Sequence, residues 1–150
     1  MGNIVRIQHP VELIGQPTSM TCWMAATSML LRRSVTSGTA RTAPNGGLLS
    51  DANNLRDFAR SNGLRLYYGQ TWMARGLIAL LRKGPAAMMG RLPSMHAVVL
   101  SGIESDGTED GTYITIHDPW PVRQGTIHRG LPYAAFLRQF PMASNYMLQP

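Results

Sequence analysis

The chain contains one cysteine, and its setting suits a reactive thiol. Cys22 ends the stretch Gly15-Gln16-Pro17-Thr18-Ser19-Met20-Thr21 and heads the apolar, helix-favouring run Cys22-Trp23-Met24-Ala25-Ala26. A thiol attacks carbonyls as the thiolate, and a helix N-terminus favours that form through its unpaired N–H groups and the positive end of the macrodipole. A free cysteine is also among the most buried residue types, packing as a small apolar side chain. The stretch by itself leaves nucleophile and core residue on equal terms.

A nucleophilic thiol needs a base, and the imidazoles available are His9, His96, His117 and His128. His96 precedes Ala97-Val98-Val99-Leu100, which sets it at the mouth of a strong strand, where the backbone is stiff and the side chain can reach a cleft. Taken alone, a histidine of this kind is as a rule a core or turn residue. A catalytic imidazole also needs an acceptor for its other ring nitrogen, to fix the tautomer and stabilise the imidazolium. Asp118 suits that role: it ends the alternating run Tyr113-Ile114-Thr115-Ile116-His117, and Pro119 biases it toward an extended conformation. It is equally an ordinary turn residue before proline. His117 alternates with Asp118 and is expected on the opposite face. Gln16, six residues before Cys22, can offer a side-chain N–H beside the Cys22 backbone N–H to the oxyanion of an attacked carbonyl. Without those companions it is a loop amide.

The elements that must position these groups follow from periodicity. Residues 4–14 read as an extended lead-in bent at Pro10. From Cys22 to about Arg33 the run is apolar on nearly every side, which predicts a buried central helix. Ser34 to Gly47, rich in Ser, Thr and Gly, reads as a mobile surface loop, and its Gly46-Gly47 pair as a flexible turn. Ser50 is expected to cap a second helix carrying Leu55, Phe58 and Ala59, stopped at Asn62-Gly63. A short strand over 64–68 follows, and Thr71 is expected to cap a third helix from Trp72 to about Lys83, ended by Gly84-Pro85. Ala86 to Arg91, His96 to Ile103 and Thr112 to His117 read as antiparallel strands, with turns at Pro93-Ser94 and at Glu104 to Gly107. A helix near Pro132 to Phe140 and a strand near Asn145 to Leu148 complete an α+β arrangement, helices first and sheet second.

Composition bounds the rest. A length of 150 residues with 44% apolar content suits one domain over 1–150 that folds without disulfides or metal. A lone cysteine requires no oxidising compartment, and a cytosolic site of action is expected. No secretory signal or membrane-spanning run is visible, and Gly2 is no myristoylation site because Arg6 stands where Ser or Thr is needed. The net charge of +6 favours anionic partners. The cations are nevertheless scattered, with no basic-aromatic ribbon, so neither nucleic acid nor membrane is expected as a partner. No cofactor or metal is expected.

With Cys22, His96, Asp118 and Gln16 in place, the chain resembles papain-like cysteine proteases. Those enzymes carry Gln six residues before a Cys-Trp pair at a helix start, a His-Ala-Val strand, and a Trp two places after the residue that orients the histidine. Here these are Gln16 with Cys22-Trp23, His96-Ala97-Val98, and Asp118 with Trp120. The resemblance implies a helical half and a β-rich half with the site between them. It also implies Cys22 as nucleophile, His96 as base, Asp118 as orienting group and Gln16 in the oxyanion hole. Trp120 would shield the His96–Asp118 bond or anchor the core, and Trp23 would serve the core or the substrate.

Asp118 replaces papain's Asn, and the domain is short. Those departures resemble bacterial branches, the C39-type bacteriocin-processing peptidases and AvrRpt2-like effectors. By that resemblance the substrate is a protein, cut in a narrow cleft at small residues such as Gly-Gly. The carrier is an effector or toxin of interbacterial competition, delivered without a signal peptide and neutralised by a cognate immunity protein. Peptidoglycan amidase, deamidase or acyltransferase chemistry, or a non-catalytic binding module on the same fold, would use the same residues differently.

Overall fold

The computed structural model describes residues 3–90, 96–140 and 145–150. Arg91, the turn expected at Pro93-Ser94 and Gly2 lie outside the described residues. In chain order the elements are β1 (Val5–Gln8), α1 (Cys22–Leu31), α2 (Ala52–Ser61), β2 (Arg65–Tyr68), α3 (Ala74–Lys83), β3 (Ala86–Gly90), β4 (His96–Ser105), β5 (Thr112–Asp118), β6 (Thr126–Pro132), α4 (Tyr133–Gln139) and β7 (Asn145–Gln149). The strands form one antiparallel sheet in the order β2-β7-β3-β4-β5-β6, and β1 pairs with β4 beyond the end of β3.

The central strands are apolar at successive positions because both faces of the sheet are covered. Ala87, Met89, Ala97, Val99, Tyr146 and Leu148 pack with α1 and α2 on one face. Their neighbours Ala86, Met88, Val98, Leu100 and Met147 pack with α3 and α4 on the other. Leu100 and Ile103 both serve the second face although three residues apart, because the register shifts between Leu100 and Gly102. A bulge of this kind restores the parity that an odd spacing would lose.

The result is α+β, with helices on both sides of a sheet that the first strand already enters. β6 was not anticipated, and β1 and β2 belong to the same sheet as the later strands. The second helix is capped by Asp51, whose carboxylate accepts from the Asn54 N–H at 3.2 Å, and not by Ser50. The third begins after Met73 with no side-chain cap, so Thr71 does not serve. The segment from Ser34 to Gly47 is not a free surface loop. Val35 and Ala40 are buried, and Asn54 holds its main chain, donating to Arg41 O and Leu49 O at 2.8 Å and accepting from Arg41 N. Among the described residues no helix is long and apolar enough to cross a membrane.

α1 owes its position to burial on nearly all sides, with Cys22, Trp23, Ala25, Ala26, Thr27, Met29 and Leu30 out of solvent. Small Ala25 and Ala26 are compatible with a close approach to the sheet, and Trp23 meets Phe58 of α2 edge to face at 5.6 Å. The Trp23 indole N–H donates to Gly46 O at 2.9 Å, so the Gly46-Gly47 turn is fastened to the same helix. Removing the Phe58 ring would leave a cavity beneath the first turn of α1. Phe58→Ala is expected to cost about 3–5 kcal/mol in urea unfolding and Phe58→Leu clearly less; equal losses would show that ring volume is not what holds α1.

Candidate active site

Cys22 is the first residue of α1 and is 4% exposed. The first turn contains no acidic side chain and no side-chain cap. The Thr21 hydroxyl is turned back to Thr18, accepting from its N–H at 3.0 Å, and no acidic side chain of the first turn competes for the positive end of the helix. That end is available to stabilise negative charge on the Cys22 sulfur.

The register of the sheet brings an imidazole and a carboxylate together at the same place. Val99 lies opposite His117, which brings the start of β4, where His96 stands, alongside the end of β5, where Asp118 stands. His96 Nε2 and Asp118 Oδ1 are 2.8 Å apart. The same oxygen accepts from the Trp120 N–H at 2.9 Å, so the carboxylate is oriented by its own chain before it orients the ring. With Nε2 engaged, Nδ1 is the ring nitrogen left for the thiol, and His96 is hydrogen-bonded to Cys22. Burial pushes the imidazole pKa down. The hydrogen bonds to Asp118 and Cys22, with the negative charge on both, outweigh it and raise the value from 6.5 to about 9.

Gln16 approaches from the lead-in. Its side chain is 1% exposed, and Nε2 donates one N–H to Thr18 O at 2.8 Å. A primary amide has a second N–H. Gln16 Oε1 is buried without a hydrogen-bond partner among the described residues. The main chain of Gln16 is tied to the loop that follows Asp118, donating to Pro119 O at 3.0 Å and accepting from Arg123 N at 2.9 Å.

The remaining expected residues fall in two places. Trp120 lies beside the carboxylate and is 51% exposed, so it is not a core anchor. Trp23 is 3% exposed inside the core beneath Cys22 and offers no surface to a substrate. His117 points away from Asp118, as strand alternation requires, and is buried. Burial pushes its pKa down, a hydrogen bond to the Val11 main chain works against that, and Arg129 lowers it further. His9 contacts Leu81 O at 2.6 Å near the end of α3. His128, to which sequence reasoning gave no role, stands on β6 with Nε2 3.9 Å from Asp118 Oδ2, too long for a hydrogen bond. The alternation of Ile127 with His128 was the available signal, but a register shift and Gly130 interrupt it.

A thiol polarised by an imidazole, which a carboxylate holds in turn, can cleave amide bonds through a thioester. On an α+β scaffold, with the thiol heading a buried helix and the imidazole opening a strand, that chemistry belongs to the papain-like cysteine proteases. Residues 4–131 match the family model of the papain-like cysteine protease AvrRpt2, and the chain belongs to that family. It is a hydrolase with a protein substrate. No curated protein matches the chain.

The raised His96 pKa gives a direct physical test. In the wild type the imidazole ring signals in NMR should titrate near pH 9. In Asp118→Asn and in Cys22→Ser, where an anionic partner is lost, the midpoint should move to lower pH. An unmoved midpoint in both variants would show that neither partner sets the protonation of His96.

Proposed function

We propose that the chain is an endopeptidase whose nucleophile is Cys22, with His96 as proton carrier, Asp118 as orienting group, and Gln16 with the Cys22 N–H as oxyanion hole. The observation that carries this reading is the 2.8 Å bond between His96 Nε2 and Asp118 Oδ1, with Cys22 hydrogen-bonded to the same ring. A pKa of about 9 favours the protonated imidazole at neutral pH, and in the reactive form the Cys22 thiolate faces that imidazolium. The thiolate attacks the scissile carbonyl, and the electrons of the C=O bond move to oxygen, where the Gln16 and Cys22 N–H groups meet the charge. As the C–N bond breaks, His96 donates its proton to the leaving amine. Neutral His96 then takes a proton from water, which attacks the thioester and releases acid and thiolate.

The biological reading extends the family assignment. The protein acts as a bacterial effector or toxin that reaches the cytosol of another cell and cuts a specific protein there, at small-residue sites of the Gly-Gly kind. A cognate immunity protein restrains it in the producing cell. The absence of a second cysteine supports a reducing site of action, since nothing in the fold depends on a disulfide.

Labelling the new protein N-termini in a lysate exposed to wild type, beside one exposed to Cys22→Ala, tests reaction and target together. The expected result is a small set of termini made only by the wild type, flanked by small residues. His96→Ala should abolish them, and Asp118→Asn should retain part of the rate because an amide still orients the ring. His96→Ala with undiminished activity would overturn the assignment.

A further inference from the structure

The oxyanion donor and the acid–base pair come from opposite ends of the chain, yet one short loop holds both. The loop leaves Asp118, whose Oδ1 is bonded to His96 and to the Trp120 N–H. It then takes both main-chain groups of Gln16, Pro119 O accepting at 3.0 Å and Arg123 N donating at 2.9 Å. Gln124 N and Gly125 N close it on Pro121 O at 3.0 and 2.9 Å, and Thr126 Oγ1 donates to Trp120 O at 3.0 Å. Arg123 adopts the left-handed conformation, φ 65°, that side chains avoid. That geometry persists where surrounding bonds over-determine it.

The loop reaches Gln16 only because Gly15 has no side chain. A Cβ there would collide with Gln124 N and the Arg123 carbonyl carbon and would stand 2.8 Å from Arg123 Cα, all backbone atoms with no rotamer to yield. We infer that Gly15 is a positioning residue, whose bare backbone lets the 119–125 loop lock the Gln16 amide in register with the Cys22–His96–Asp118 site. The inference rests on the reading of Gln16 as an oxyanion donor. It assigns the alignment of the two halves of the site to a backbone contact about a hundred residues apart in sequence.

The test uses acylation of the full chain by the 4-nitrophenyl ester of N-acetylglycine, which needs no knowledge of the natural target, beside the pH profile of Cys22 alkylation by iodoacetamide. Gly15→Ala should lower the acylation rate constant by about 10- to 100-fold with KM changed less than about threefold. Alkylation, which forms no oxyanion, should keep its rate and pH dependence. In a Gln16→Ala background the further loss should shrink to less than about twofold, because the aligned group is already gone.

Additive losses, a parallel loss of alkylation, or full acylation activity would each overturn the proposal. Should Gly15→Ala fail to fold, Thr126→Val, which loosens the loop from its exposed side, decides by the same criteria with an expected loss of about two- to fivefold. Gln16→Ala with undiminished acylation would sink the oxyanion reading itself. An impaired Gln16→Ala with an additive Gly15→Ala sinks the strap alone.

Discussion

One carboxylate oxygen joins the parts of this protein that matter for its chemistry. Asp118 Oδ1 accepts from His96 Nε2 and from the Trp120 N–H, so it connects the first residue of β4, the last of β5 and the loop that grips Gln16. A partly buried imidazole without that oxygen would lose its proton readily, since desolvation disfavours the cation. With the oxygen in place, and Cys22 on the other side of the ring, the balance reverses and the pKa stands near 9. The sheet makes the contact possible: His96 and Asp118 meet only while Val99 stays opposite His117. A slip of one residue would turn Asp118 to the other face.

That register is secured far from the site. β4 carries β3 along His96 to Leu100, β1 along Gly102 to Ser105, and β5 on its other edge, and the rows of apolar side chains on both faces are already committed to helices. Moving one strand would exchange the residues that face α1 for those that face α3. The pairs Ala97 with Val98 and Val99 with Leu100 are buried completely, so the cost falls on packing. The site is held by the density of the core around it.

How much of this was legible in the sequence depends on how local each cause is. The strands that carry His96 and Asp118 were, because each residue sits at the end of a run whose apolar pattern marks a strand. The buried central helix was also readable, since Trp23, Ala25, Ala26, Met29 and Leu30 leave no polar face. The strand containing His128 was not, because its alternation is broken by a register shift and by Gly130. The 34–47 segment looked free because its composition is that of a loop. What pins it are single side chains elsewhere, the Asn54 amide and the Trp23 indole, and composition does not record a partner. The spacing from Gln16 to Cys22 drew attention to both residues, but the loop that bonds the Gln16 main chain lies about a hundred positions away and left no mark near either.

The same distances bear on when the thiol becomes reactive. In an extended chain Cys22 has neither a helix terminus nor an imidazole beside it. Its partners are separated from it by long stretches of chain, His96 on β4, Asp118 on β5 and the Gln16 clasp on the loop beyond. Contacts of such sequence separation form late, after the loop entropy has been met by the collapse of the core. The helix can form early, but helix position alone leaves the sulfur without its imidazolium. On the proposed reading, the nucleophile is therefore a property of the finished sheet more than of the cysteine, and partly folded chains carry a thiol with little more reactivity than a free one.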